Sequence, residues 1–174
     1  MGSAKAAARP GLRLLPLSVM VIALDQLSKL WIEHRFALYE SVRLLPVLDL
    51  TRLHNRGAAF SFLAGASGWQ RWFFVGLAAL VSTGLVIWLA GIRSHAQRWL
   101  ALGLALILGG AIGNVVDRLR LGYVIDFVHV HWMRIGFDFP AFNIADSAIT
   151  VGAGLVLLDA LLESRRPKPA RRDS

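Results

Sequence analysis

The amino-acid sequence predicts a membrane all-α bundle of four transmembrane helices with a small extracytoplasmic β-cradle. Three observations point there. The 174 residues are 56% hydrophobic and 17% charged, with a mean hydropathy of +0.55, whereas soluble domains carry about 25% charged residues. Four apolar stretches are each long enough for a bilayer, which takes roughly 20 residues. The longer connections alternate apolar and polar residues with the period of short strands. The same composition excludes disorder over most of the length. The absence of cysteine excludes disulfides, thiolate metal sites and a cysteine nucleophile.

Taken in order, residues 1–13 form a tail with Lys5, Arg9 and Arg13, and the first span is placed at 14–32. A basic start before an apolar run imitates a signal peptide, but no small-residue cleavage site precedes Asp25, so a retained helix is expected. Loop 33–71 contains Val42-Arg43-Leu44 and the run Leu48-Asp49-Leu50-Thr51-Arg52-Leu53, both strand-like. Gly65, Gly68 and Trp69 mark a turn or short interfacial helix. The second span is placed at 72–89, the third at 99–116 after the link 90–98, and the fourth at 141–162. Between the last two, loop 117–140 holds a third strand-like run from Tyr123 to Trp132. A basic tail, 163–174, closes the chain and is expected to be disordered; no internal repeat is visible. Residues 14–162 thus read as a single domain. Trp31, Trp69, Trp72, Trp88 and Trp99 fall near span ends, as an aromatic belt at the membrane interface requires.

The charge assigns sides. The formal net charge is +8. The two tails and the link 90–98 carry lysine and arginine at about twice the density of loops 33–71 and 117–140. Both termini are therefore expected in the cytoplasm and the two larger loops in the periplasm. No nucleic-acid surface is needed to explain the basic excess, and the basic C-terminal tail reads as an anchor near anionic lipid.

Charged and amide groups inside apolar spans cost about 2.5–3.5 kcal/mol each on insertion scales, so they mark functional positions. Asp25 and Lys29 lie in the first span, Asn114 in the third, and Asn143, Asp146 and Asp159 in the fourth. With the expected topology all but Asp159 fall in one outer layer, Asp146 about 8 Å below the surface at 1.5 Å per residue. Asp159 is expected at the cytoplasmic interface. Asp25 and Lys29, at i and i+4, share a helix face and can neutralise each other. Gly109, Gly110 and Gly113 fit close helix packing. Asp126, in the third strand-like run, joins Asp146 near the outer interface. Two carboxylates in an apolar setting resist double ionisation and share a proton, which equips one as base and the other as acid. The alternatives are a strand aspartate engaged only in hydrogen bonding, a metal site on His129-x-His131 without an obvious third ligand, and a Ser–Lys pair of Lys29 with Ser61, since the neighbouring Ser28 points elsewhere on the helix. A small transporter or channel using the intramembrane Asp and Lys groups, or a structural adaptor, would also carry such charges. Transport sites, however, lie near the midplane.

Five segments in fixed order carry a family resemblance. They are Asp25-Gln26-Leu27-Ser28-Lys29, Asn55-Arg56-Gly57-Ala58-Ala59-Phe60-Ser61, Gly109 to Arg118, Gly122-Tyr123-Val124-Ile125-Asp126-Phe127, and Phe139-Pro140-Ala141-Phe142-Asn143-Ile144-Ala145-Asp146. The chain resembles the lipoprotein signal peptidases, also called signal peptidase II. The resemblance implies a bacterial inner-membrane aspartic peptidase with four transmembrane helices and a periplasmic β-cradle. It implies removal of signal peptides from diacylglyceryl-modified prolipoproteins, cut just before the lipidated cysteine. It maps the catalytic pair to Asp126 and Asp146. Asn55, Gly57, Asn114, Arg118 and Asn143 map to positions around substrate and dyad, and Asp25, Lys29 and Asp117 to supporting positions. It implies no metal or organic cofactor, contact with membrane lipids, inhibition by cyclic peptides such as globomycin, and no nucleic-acid partner; the expected state is a monomer.

Overall fold

The computed structural model describes residues 10–57, 69–132 and 135–165. The expected turn at Gly65 and Gly68, Ser61, and nearly all of the basic tail lie outside them. Among the described residues, four helices are long and apolar enough to cross a membrane. They are α1 (Leu15–Arg35), α2 (Trp69–Gly91), α3 (Arg98–Arg120) and α4 (Ile144–Ser164). At 1.5 Å per residue their 21–23 residues give about 32–35 Å, enough for a hydrocarbon core of about 30 Å. A short 3-10 turn, Pro10–Leu14, leads into α1. The proline in the first turn of α1 costs nothing there, because first-turn amides have no intrahelical acceptor.

Helix α3 is the axis of the bundle and packs against the other three. Its glycines make this possible. A Cβ added at Gly103 would stand 2.6 Å from the Gly152 carbonyl oxygen, and one at Gly109 would stand 2.8 Å from the Ser18 carbonyl oxygen. At Gly110 a Cβ would run into the carbonyl of Ala145. Backbone therefore lies on backbone along α1–α3 and α3–α4, the small-residue packing expected in lipid. The Ser18 hydroxyl adds a buried hydrogen bond to the Ala105 carbonyl at 2.7 Å. Large apolar side chains such as Leu27, Leu80, Ile87 and Leu161 point outward and are exposed, as the faces of a bundle solvated by lipid should be.

The strands are β1 (Ser41–Leu45), β2 (Leu48–Asn55), β3 (Val124–Trp132) and β4 (Phe137–Phe142). They form one antiparallel sheet in the order β1-β2-β3-β4. Ile125 and Phe127 of β3 pack with Ile32 of α1, fastening the sheet to the end of that helix. The β2–β3 register sets Asn55 opposite Val124 and Leu53 opposite Asp126. Asp49 of β2 bonds His131 of β3 at 3.0 Å, and Asp138 of β4 bonds His129 at 2.6 Å. Each histidine of the His-x-His pair is thus engaged by a carboxylate of a different neighbouring strand.

The structure departs from the expected boundaries at several ends, and α1 runs on to Arg35 while α2 already starts at Trp69. Helix α3 continues to Arg120 instead of stopping at 116, so Asp117 and Arg118 are helical and stand one turn beyond Asn114. The residues from Phe137 to Phe142 form an edge strand, and Pro140 is tolerated there because an edge position needs no ladder donor. The fourth helix accordingly starts at Ile144, capped by Asn143, rather than at 141. Asp146 sits in its first turn, only about 3–5 Å from its start by helical rise. Asp159 is buried and lies five residues before the end of α4.

Candidate active site

The site forms where the ends of α1, α3, β2 and β3 meet the start of α4. Asn143 organises it. As the N-cap of α4, its Oδ1 accepts the Asp146 N–H at 2.9 Å, and its own N–H donates to Asp146 Oδ2 at 3.3 Å. This reciprocal pair is a capping box, with an aspartate in place of the usual Glu or Gln. The Asn143 amide nitrogen is then free to reach forward. It donates to Asp126 Oδ1 at 2.7 Å, with longer contacts of 3.3 Å to the Ile125 carbonyl and to Asn114 Oδ1. One fully buried asparagine thus bonds both candidate catalytic aspartates.

Each aspartate has a further amide donor. Asn55 Nδ2 donates to Asp126 Oδ2 at 2.9 Å, and Asn114 Nδ2 donates to Asp146 Oδ1 at 2.8 Å. Burial pushes the Asp126 carboxyl up to about 6. The Asn55 bond opposes that rise, and the neighbouring Asp146 charge adds to it. The result is a carboxyl that changes protonation near neutral pH, the property that acid–base work at a peptide bond requires.

Arg118 supplies the positive charge. Its guanidinium donates to the Asn114 carbonyl at 3.2 Å and interacts electrostatically with Asp146, Asp126 and Asp117. The ring of Phe74 on α2 lies under it, 5.1 Å from Cζ. Gly57 explains how that ring fits. Its φ is +100°, and a Cβ there would stand 2.7 Å from Phe74 Cε2. The Gly57 N–H also bonds Asn55 Oδ1 at 2.8 Å, orienting the amide that holds Asp126.

Lys29 lies behind the dyad. It is buried, with Nζ 2.8 Å from Asp25 Oδ2, 2.9 Å from Asp117 Oδ2 and 2.9 Å from Asn114 Oδ1. The expected Asp25–Lys29 pair is present, and Asp117 makes it a triad. All three ammonium donors are engaged by Asp25, Asp117 and Asn114 rather than by a serine. Ser28 bonds the Asp25 carbonyl instead.

The ten residues that the resemblance maps to the site are therefore brought together. Two others were missed. Gln26 donates to Asp117 Oδ1 at 2.8 Å and to the Gly113 carbonyl at 3.1 Å. Its polarity inside an apolar span was a usable signal. Phe74 carried none, since one phenylalanine in an apolar run looks like any other.

This geometry can be set beside known proteins. A family model described as Signal peptidase (SPase) II matches residues 17–162. The lipoprotein signal peptidase of Shewanella woodyi is 53% identical over 152 residues, which are 87% of this chain and 84% of that protein. That of Pseudomonas aeruginosa is 50% identical over 144 residues, covering 82% and 84%. A solved structure described as a bacterial membrane enzyme, determined by the in meso method at 2.3 Å, superposes with a TM-score of 0.76 at 30% identity, over 93% of this chain and 94% of that one.

Proposed function

The chain belongs to the signal peptidase II family, a family of membrane proteases, and on that premise we propose that it works as an aspartic endopeptidase with Asp126 and Asp146 as its reacting pair. The substrate is a diacylglyceryl-modified prolipoprotein, and the bond cut lies just before the lipidated cysteine. The observation that carries this reading is the Asn143 bridge, which ties two carboxylates from different elements into one amide-lined site.

The chemistry follows from that arrangement. The ionised aspartate takes a proton from water as the oxygen attacks the peptide carbonyl carbon. The protonated aspartate gives its proton to the amide nitrogen, the C–N bond breaks, and the lipidated cysteine leaves as a free amine. No acyl-enzyme forms. Arg118 stands where it can offset the negative charge that develops on the tetrahedral carbonyl oxygen. A peptide bond inside a helix is shielded by its own hydrogen bonds, so the substrate must extend locally; the edge strands of the sheet offer a partner for such a segment. The sheet and the dyad lie on the periplasmic side of the inner membrane, and both termini in the cytoplasm. Membrane lipids surround a monomer, and globomycin-type cyclic peptides compete for the site.

The test is cleavage of a purified diacylglyceryl-modified prolipoprotein in detergent by wild type, Asp126→Asn and Asp146→Asn. Wild type is expected to release the signal peptide and both folded variants to be inactive. Wild-type turnover in both variants would remove the dyad assignment.

A further inference from the structure

Two backbone hydrogen bonds behind the dyad share one pattern. Asp117 Oδ2, which pairs with Lys29, also accepts the backbone N–H of Ile125 at 3.2 Å. Asp25, whose Oδ2 pairs with Lys29, accepts the backbone N–H of Ala145 on its Oδ1 at 2.9 Å. Ile125 immediately precedes Asp126, and Ala145 immediately precedes Asp146. Each carboxylate of the triad thus grips the backbone N–H of the residue just before one of the two reacting aspartates.

We propose that Lys29, Asp25 and Asp117 form a backbone clamp that sets the spacing of Asp126 and Asp146. The inference rests on the dyad reading above. The three are positioning residues, because none of them touches the reacting oxygens. Lys29 is the centre: one ammonium fixes both carboxylates. Its third donor goes to Asn114 Oδ1 and so prevents that amide from turning over. The nitrogen of Asn114 must therefore face Asp146. Gln26 closes the clamp from the side by donating to Asp117 and to Asp25. Gly113 admits it, since a Cβ there would stand 2.7 Å from Asp25 Oδ2.

The geometry favours a positioning role over simple reinforcement. Buried ion clusters are weak sources of stability, and well-packed apolar replacements are often neutral. What an apolar triad could not do is accept two specific peptide N–H groups at the two ends of the dyad. One of these belongs to the first turn of α4, where the N–H groups lack intrahelical acceptors. The other belongs to β3. The clamp therefore couples a helix and a strand that the chain itself joins only through β4.

The experiment compares Asp117→Ala, Asp117→Asn, Asp25→Asn and Ser18→Ala with wild type on the lipid-modified prolipoprotein, normalised to folded protein. Ser18→Ala removes a buried α1–α3 bond away from the dyad and reports a purely structural loss. A misplacement of 1 Å costs on the order of 10²-fold. Asp117→Ala is expected to lose about that factor in kcat with KM little changed, and to shift the pH limbs of turnover, because dyad spacing sets mutual repulsion. Asp117→Asn keeps an oxygen for the Ile125 N–H and is expected to recover most of the rate. Ser18→Ala should lower thermal stability and leave kcat and pH limbs alone. If Asp117→Ala behaves like Ser18→Ala while Asp126→Asn is inactive, the clamp is overturned and the dyad stands. Wild-type turnover in Asp126→Asn and Asp146→Asn overturns both. Where Asp117→Ala does not fold, Asp25→Ala stands in for it and Asp25→Asn for Asp117→Asn: lost kcat with displaced pH limbs in Asp25→Ala, recovered in Asp25→Asn, supports the clamp, and unchanged kcat and limbs in Asp25→Ala overturn it.

Discussion

Asn143 serves two functions that substitution can separate. It caps α4 and it bonds both aspartates. Asn143→Ala should cost about 1 kcal/mol of stability, the usual loss of an N-cap, and lower kcat about 10²-fold by loosening the dyad. Asn143→Asp caps equally well but sets a third carboxylate against Asp126. It should lose turnover while α4 stays capped, and its melting temperature in detergent should fall, because the new buried oxygen faces three acceptors with no donor between them. The Asp126 carboxyl gives the pH dependence its sign. Burial raises it to about 6, and the proposed mechanism needs one ionised member of the pair, so turnover should fall as pH drops through about 6. The limb belongs to the coupled pair rather than to one residue. A kcat/KM profile from pH 5 to 8 checks this; a rate flat across that range would contradict it. The titrating residue was legible in the sequence as a lone acid among apolar neighbours. Its amide partner Asn143 was legible as a polar residue within an apolar span, whereas Asn55 became legible only through the family's motifs, because residues 55 and 126 share no local pattern.

The elements show why the boundaries were harder to read than the spans. An apolar run announces a helix, but it does not say where the helix ends. Helix α3 runs on through Asp117, Arg118 and Arg120, whose charges look like a loop until Lys29 and Arg118's partners are seen around them. Strand β4 was hidden by Pro140 and by the apolar residues that merge with the fourth span. Close helix packing was readable from the glycines, and it is open to a direct test. Gly103→Val forces a side chain against Gly152 and Val156, whereas a Cβ at Gly154 meets nothing within 4 Å. Overpacking of this kind costs about 1–3 kcal/mol. Thermal denaturation in detergent should show Gly103→Val destabilised and Gly154→Val near wild type, within about 0.5 kcal/mol.

For the whole molecule, the basic excess makes a statement about orientation. If both termini are cytoplasmic, a phosphatase that folds only outside the cytoplasm should be inactive when fused after residue 165 and active when inserted in the turn between β1 and β2. The opposite pattern would invert the molecule and place the dyad on the wrong side for its substrate. The bundle itself was legible because lipid leaves few choices: an apolar stretch of this length must be a helix. The sheet was legible only in part, since alternation reveals strands but not which strand pairs with which. The order β1-β2-β3-β4 joins residues on either side of two membrane spans, and no local pattern encodes that.

The Asp25–Lys29 pair also bears on how the protein is made. The first helix leaves the ribosome long before Asp117 and Asn114 exist, so its charged residues must enter the bilayer without most of their final partners. A lone charge would oppose that step by about 2.5–3.5 kcal/mol. At i and i+4 with 2.8 Å between them, the two residues enter as a neutral couple. The bond that joins the two in the folded triad would then act first as a passport for insertion. Removing either partner alone should reduce integration of the first span in a translocon assay, and removing both together should restore it.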